Sequence, residues 1–152
     1  MIQKFTHHPL WLFLTGVLIL AASCQGQKED KESLHIAKEF ASLYFNWQYP
    51  EAMEYADSST VQMLRFMASQ VNKEDIELLK EKEESSNVVV KEILSETNDS
   101  IVVLVHAEDF FQMESIGKPA VHYEEGDFTF LLTRKAPKSP WRVSSKPQIF
   151  SN

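Results

Sequence analysis

Two short strings carry the side chains best suited to chemistry, His106-Ala107-Glu108 and His122-Tyr123-Glu124. In each, imidazole and carboxylate stand two residues apart, and an extended strand puts such a pair on one face. If the two strands pair in a suitable register, four groups converge into an acid–base or metal site. The other reading is simple alternation, with polar residues on a solvent face between apolar ones. The spacing matches no specific metal motif, and no metal or cofactor is called for. Asp109, beside Phe110 and Phe111, is a further candidate. An apolar cavity would raise its pKa towards that of a base for proton abstraction, with Tyr44, Tyr55 or Tyr123 donating to an oxyanion. Its ordinary alternative is a solvated Asp near a strand end. The candidate catalytic groups are therefore Asp109, His106 and His122. One thiol completes the inventory, that of Cys24, the chain's single cysteine.

The elements that must position these groups fall into two textures. Ser33 to Trp47 reads as a helix, with Ile36, Phe40, Leu43 and Trp47 on one stripe and Ala37 and Tyr44 beside them. Pro50 opens a short second helix, with Ala52, Met53 and Ala56 on its buried side. Ser58-Ser59-Thr60 is a cap cluster that launches a third, with Val61, Leu64, Met67, Ala68 and Val71 inward. Asn72 to Asp75 caps a fourth, running from Ile76 to about Glu84. Val88–Leu94 and Ile101–Phe111 are rich in β-branched and aromatic residues and are separated by the turn composition Ser95–Asp99. After the loop Gly117-Lys118-Pro119, a third strand starts near Val121. It has a bulge at Gly126 and Phe128, Phe130 and Leu132 on one face. Lys135–Pro140 is a turn and Trp141 to about Ser145 a last strand, with the state of Pro147–Asn152 left open. Helices first and an antiparallel meander second predict an α+β domain with the helices on one sheet face.

The region before the helices has its own logic. LWLFLTGVLILAASC places an apolar run, three small residues and the cysteine behind Lys4, the plan of a secretory signal peptide. The run Leu10–Ala22 has thirteen residues, short of the ~20 that span a bilayer as a helix. This stretch resembles the lipobox of bacterial lipoproteins, although Ala21 stands where the commonest form has Leu. The resemblance implies a signal peptide over residues 1–23, cleavage before Cys24, and acyl chains on Cys24. It also implies an outer-membrane address from Gln25, and surface export if Lys28-Glu29-Asp30 acts as an export signal. Residues 24–32 then form the lipidated cysteine and a polar tether, and residues 33–152 one domain.

Removing residues 1–23 leaves 129 residues and takes away one positive charge, so −7 becomes −8. An acidic, evenly mixed surface disfavours phosphate-tracking nucleic-acid binding and is repelled by anionic lipid heads, so membrane residence must come from the acyl chains. With Cys24 lipidated no thiol remains for a disulfide, a thiolate metal site or a nucleophile.

Residues 33–145 resemble the nuclear-transport-factor-2-like superfamily, also termed cystatin-like or ketosteroid-isomerase-like, and in particular its small bacterial lipoproteins with a domain of unknown function. AKEFASLYFNWQYPEAMEYA and FTFLLTRKAPKSPWRV carry the resemblance. It implies a curved sheet wrapped around the first helix, a cone or half-barrel with an apolar mouth, and no particular reaction. Tyr44, Trp47, Phe128 and Phe130 are the candidate mouth-lining residues for a small apolar ligand. Two readings remain: a binding or assembly module engaging an envelope protein or apolar ligand, or a cofactor-independent isomerase or hydrolase. A buried Asp or His facing a void favours the second, and a filled or purely apolar cone the first.

Overall fold

The computed structural model describes residues 31–150, whose core is one set of helices on an antiparallel sheet. Residues 31–45 are helical (α1), so the last two residues assigned to the tether already belong to the first helix. Ile36, Ala37, Phe40, Ala41 and Phe45 form its buried stripe. The helix stops before Trp47, which takes a left-handed φ of 59°. Around it the Trp47 amide donates to the Tyr44 carbonyl and the Gln48 amide to that of Leu43. That pair of bonds satisfies the last carbonyls of a helix and is ordinarily built on glycine. A tryptophan tolerates the conformation here because its indole Nε1 donates to the Phe111 carbonyl at 2.9 Å and its ring stacks on Tyr49.

Three short helices follow. Tyr49–Ala52 (α2), with Pro50 in its first turn, runs into a 3-10 turn at Met53–Tyr55. Ser58–Gln70 (α3) is capped by Asp57 rather than by the serines after it, the carboxylate accepting from the Thr60 amide at 2.8 Å. Of its expected inward residues Leu64 is buried, and Val61, Met67, Ala68 and Val71, the last beyond the helix end, are half-buried against the core. Lys73–Glu81 (α4) starts earlier and ends earlier than expected, because Asn72 and Asp75 close a reciprocal capping box. Asp75 is 1 % exposed, and its second oxygen accepts from the Ala120 amide, joining α4 to the loop before the third strand.

The sheet comprises β1 (Asn87–Glu96), β2 (Ser100–Gln112), β3 (Val121–Thr133) and β4 (Arg142–Val143), in that order, with β5 (Gln148–Ile149) also on β3. All pairings are antiparallel, and the sheet is curved and unclosed. The last strand is shorter than the composition suggests, and the tail adds a strand of its own. Lys91 and Leu94 are the extra residues where the β1–β2 register shifts, and such bulges bend a strand. The β2–β3 register, by contrast, runs through Ala107↔Gly126 without a shift, so no bulge sits at Gly126. Glycine is needed there for another reason. A Cβ would lie 3.0 Å from Cε2 of Phe128 and 3.4 Å from Cζ of Phe110, whose rings cross above it. α1 packs on this inner face, with Phe45 ring centroids 4.7 Å from Phe128 and 5.0 Å from Phe110.

Candidate functional site

The irregular residue of β2 is Asp109, with φ 51°. Ala107 and Phe110 are both buried, so the in–out alternation of β2 slips by one residue between them. Beyond the slip Phe110 stacks on Tyr123 at 5.5 Å, and Phe111 and His122 face each other across the ladder. What holds this turn of the backbone is a polar lock. The Asp109 carbonyl accepts from Lys82 Nζ and from Ser86 Oγ. Lys82 also donates to Ser86 Oγ at 2.8 Å and lies 3.4 Å from the Asp109 carboxylate, its side chain only 10 % exposed. Ser86 is tied in turn to the end of α1, its amide donating to Asn46 Oδ1 at 2.8 Å. The segment after α4, the end of α1 and the slip in β2 are thus one connected unit.

The two histidines are not brought into one site. His122 Nε2 lies 2.7 Å from Asp109 Oδ1, and Lys82 approaches that carboxylate's other oxygen. His106 Nδ1 lies 2.7 Å from Asp127 Oδ1, which Lys91 Nζ also approaches at 3.2 Å. Glu108 and Glu125 stand 3.5 and 3.7 Å from His106 Nε2, and Asn87 donates to Glu108. The shortest contact of each imidazole is therefore to a carboxylate outside its own His–x–Glu string, one that a lysine also approaches. Among the described residues no three His, Cys, Asp or Glu side chains form a metal-holding group.

The electrostatics run against the proton-abstraction reading. Asp109 is half exposed, and the hydrogen bond with His122, aided by Lys82, holds its carboxyl below the usual range despite some desolvation. A base for proton abstraction needs the opposite shift. Asp127 is lowered in the same way, first by His106 and then by Lys91. Nor do the tyrosines converge on an oxyanion. Tyr44 donates to Met67 Sδ, and burial pushes it up to about 12. Tyr123 donates to Glu114, which raises it.

Of the four candidate mouth residues, Phe128 and Phe130 are buried in the core. Tyr44 and Trp47, with Phe45, Tyr49, Met67 and Phe111, enclose about 10 Å³. That is at the lower limit for a single water molecule. Cys24 and the residues expected to form the signal peptide lie outside the described residues. The sequence held no signal for the Lys82–Ser86–Asp109 lock, since Lys82 sits in a run of charges that reads as a solvated face.

No family model matches this chain, and no curated protein does. Among solved structures it is similar to an NTF2-like protein involved in plasmid conjugation, at 12 % identity and a TM-score of 0.42. The likeness covers 81 % of this chain and 49 % of that one, so the chain spans about half the length of that protein. The fold expected from the sequence, helices on one face of a curved antiparallel sheet, is the fold observed.

Proposed function

We propose that the chain is a lipid-anchored envelope protein whose α+β domain is a binding or assembly module working from its outer surface. The observation behind the second half is how little space the described residues leave beside two of the candidate mouth residues. About 10 Å³ beside Tyr44 and Trp47 cannot take a small apolar ligand, and Asp109 faces a lysine and a histidine instead of a void. The first half rests on Cys24 and the apolar run ahead of it. Two or three acyl chains on that sulfur and the new amine would hold the domain at the outer membrane, each buried methylene contributing about 0.8 kcal/mol. Gln25 supports the outer-membrane address, and Lys28-Glu29-Asp30 would add surface export if it acts as an export signal.

The test is metabolic labelling with a fatty-acid analogue and fractionation of wild type against Cys24→Ser. Labelled wild type in the envelope and an unlabelled variant lost from it are expected. An unlabelled wild type, or a variant that fractionates unchanged, would overturn the anchor. Cross-linking in intact envelopes tests the module: a discrete adduct on the wild-type domain supports it, and monomer alone counts against it.

A further inference from the structure

We infer that the domain meets the lipid layer through the turn between β3 and β4, with Lys135 and Lys138 at anionic headgroups and its acidic end held away, a placement that rests on the lipid anchor proposed above. The chain enters the domain beside that turn. Phe45 of α1 meets Phe128 and Phe40 meets Phe130, so α1 runs antiparallel to β3. From Phe40 back to Ser33 the helix covers about 10 Å, and from Phe130 on to Thr133 the strand covers about the same. Ser33 is thus level with Thr133, at the end of the domain that carries residues 134–140. The stretch from Cys24 to Lys31 reaches at most about 25 Å, so an acylated sulfur keeps this end close to the surface.

The two ends of β3 differ in charge. No acidic residue follows Asp127 in the chain. Lys135 and Lys138 are exposed on a turn held by Pro137, Pro140 and a bond from the Ser139 amide to the Ala136 carbonyl. Arg134 and Arg142 are engaged with the Asn98 and Glu54 carbonyls. Four acids share this end, Glu54, Asp57, Glu96 and Asp99, and the two arginines and two lysines bring its formal charge to zero. At the other end, residues 73–86 and 113–125 hold nine acidic residues and four lysines, a net of −5. Asp75 joins these segments to each other through the Ala120 amide, and Lys82 joins them to Asp109. From Thr133 to His122 is about 35 Å along the strand, more than three Debye lengths at physiological salt.

An anionic surface therefore acts differently on the two ends. With the turn towards it, two ammonium groups enter the headgroup potential and the acidic end is screened from it. The inverted domain would bring the net −5 against like charge. Lysine suits such a contact, since a hydrated point charge on a flexible stem needs no shaped pocket. Each of the two lysines is expected to favour this orientation about fivefold. An acidic protein would use the same lysines, but entry of the chain at the same end as the turn favours the lipid.

The experiment is energy transfer in proteoliposomes of the full acylated chain. Acylation blocks the single native thiol, so a donor dye goes on Ala136→Cys in the turn or on the exposed Ile116→Cys at the acidic end, and the acceptor on lipid headgroups. Vesicles of phosphatidylcholine alone are compared with vesicles that also contain phosphatidylglycerol. Phosphatidylglycerol is expected to raise transfer from Ala136→Cys and to lower it from Ile116→Cys. Both changes should vanish in about 1 M salt, and in a chain carrying Lys135→Gln and Lys138→Gln, substitutions at exposed positions. Equal transfer in the two vesicle types, or a rise that survives the double substitution, overturns the orientation and leaves the anchor standing. A chain without acyl mass that stays free of both vesicle types overturns the anchor, and the orientation with it.

Discussion

The two faces of the β2–β3 ladder differ in everything but their backbone. Inward, Ile101, Val103, Val105, Ala107 and Phe110 meet Phe128, Phe130 and Leu132, all buried under α1. The polar groups of the same strands, His106, Asp127 and Glu108, with His122 and Asp109 past the slip, remain partly or largely exposed and pair with one another and with two lysines. The chemistry-bearing residues therefore lie away from the concavity, and the concavity is occupied by aromatic rings. A cone of this kind holds a ligand only if its rings leave space, and here Phe45, Phe110 and Phe128 meet at centroid distances of about 5 Å. The residues that would make a catalytic pocket and the space that would make one are in different places.

The sharpest way to break the contrast is to empty the inner face. Phe128→Ala is expected to cost about 3–5 kcal/mol in urea unfolding, because a buried ring in contact with those of Phe45 and Phe110 leaves a void. A loss below about 1 kcal/mol would mean that the interior relaxes freely and is not packed as described.

A smaller effect is expected at the lock that joins the two faces. Lys82→Met leaves the Asp109 carbonyl and Ser86 Oγ without their ammonium donor in a position only 10 % exposed. Loss of about 2–3 kcal/mol is expected, since hydrogen bonds to charged groups are worth more than neutral ones. A stability equal to wild type would show that the left-handed Asp109 is held without the ammonium donor.

The smallest effect belongs to the outer face and concerns acid. Asp109 and Asp127 have folded pKa values below their ordinary ones, chiefly through His122 and His106. The unfolded chain thus takes up protons first as pH falls. This contribution is complete above the ordinary carboxylate range near pH 4, and it is lost as pH drops through the folded values. With His106→Gln and His122→Gln together, both carboxyls should titrate closer to their ordinary range by NMR. Unfolding free energy should then fall less steeply below about pH 4. An unchanged slope would uncouple the histidines from these carboxylates.

Much of this fold was legible in the residues because element formation is local. The β-branched run from Ile101, the spacing of Phe128, Phe130 and Leu132, the stripe from Ile36 to Phe40, and the proline at the start of α2 each act within a few neighbours. The candidate site was not legible, for the opposite reason. His106 and Glu108 do share a face as their spacing requires, but their partners depend on register. The register sets Asp127 against His106 and Phe111 against His122. A slip of one residue would have exchanged those neighbours.

By itself the sequence determined the α+β order of elements, the acidic charge, the single thiol, and a supply of aromatic side chains large enough for a core without a disulfide. Only the tertiary structure decided that those aromatics fill the cone, that Trp47 and Asp109 adopt left-handed backbone, and that Lys82 turns inward from a charged run. Each of these last features is unfavourable locally. Each is held by a partner far along the chain: Phe111 for Trp47, Lys82 and Ser86 for Asp109, and Asp109 for Lys82. Local pattern carries the favourable choices of a chain, and the unfavourable ones are readable only once the distant group that offsets them is in place.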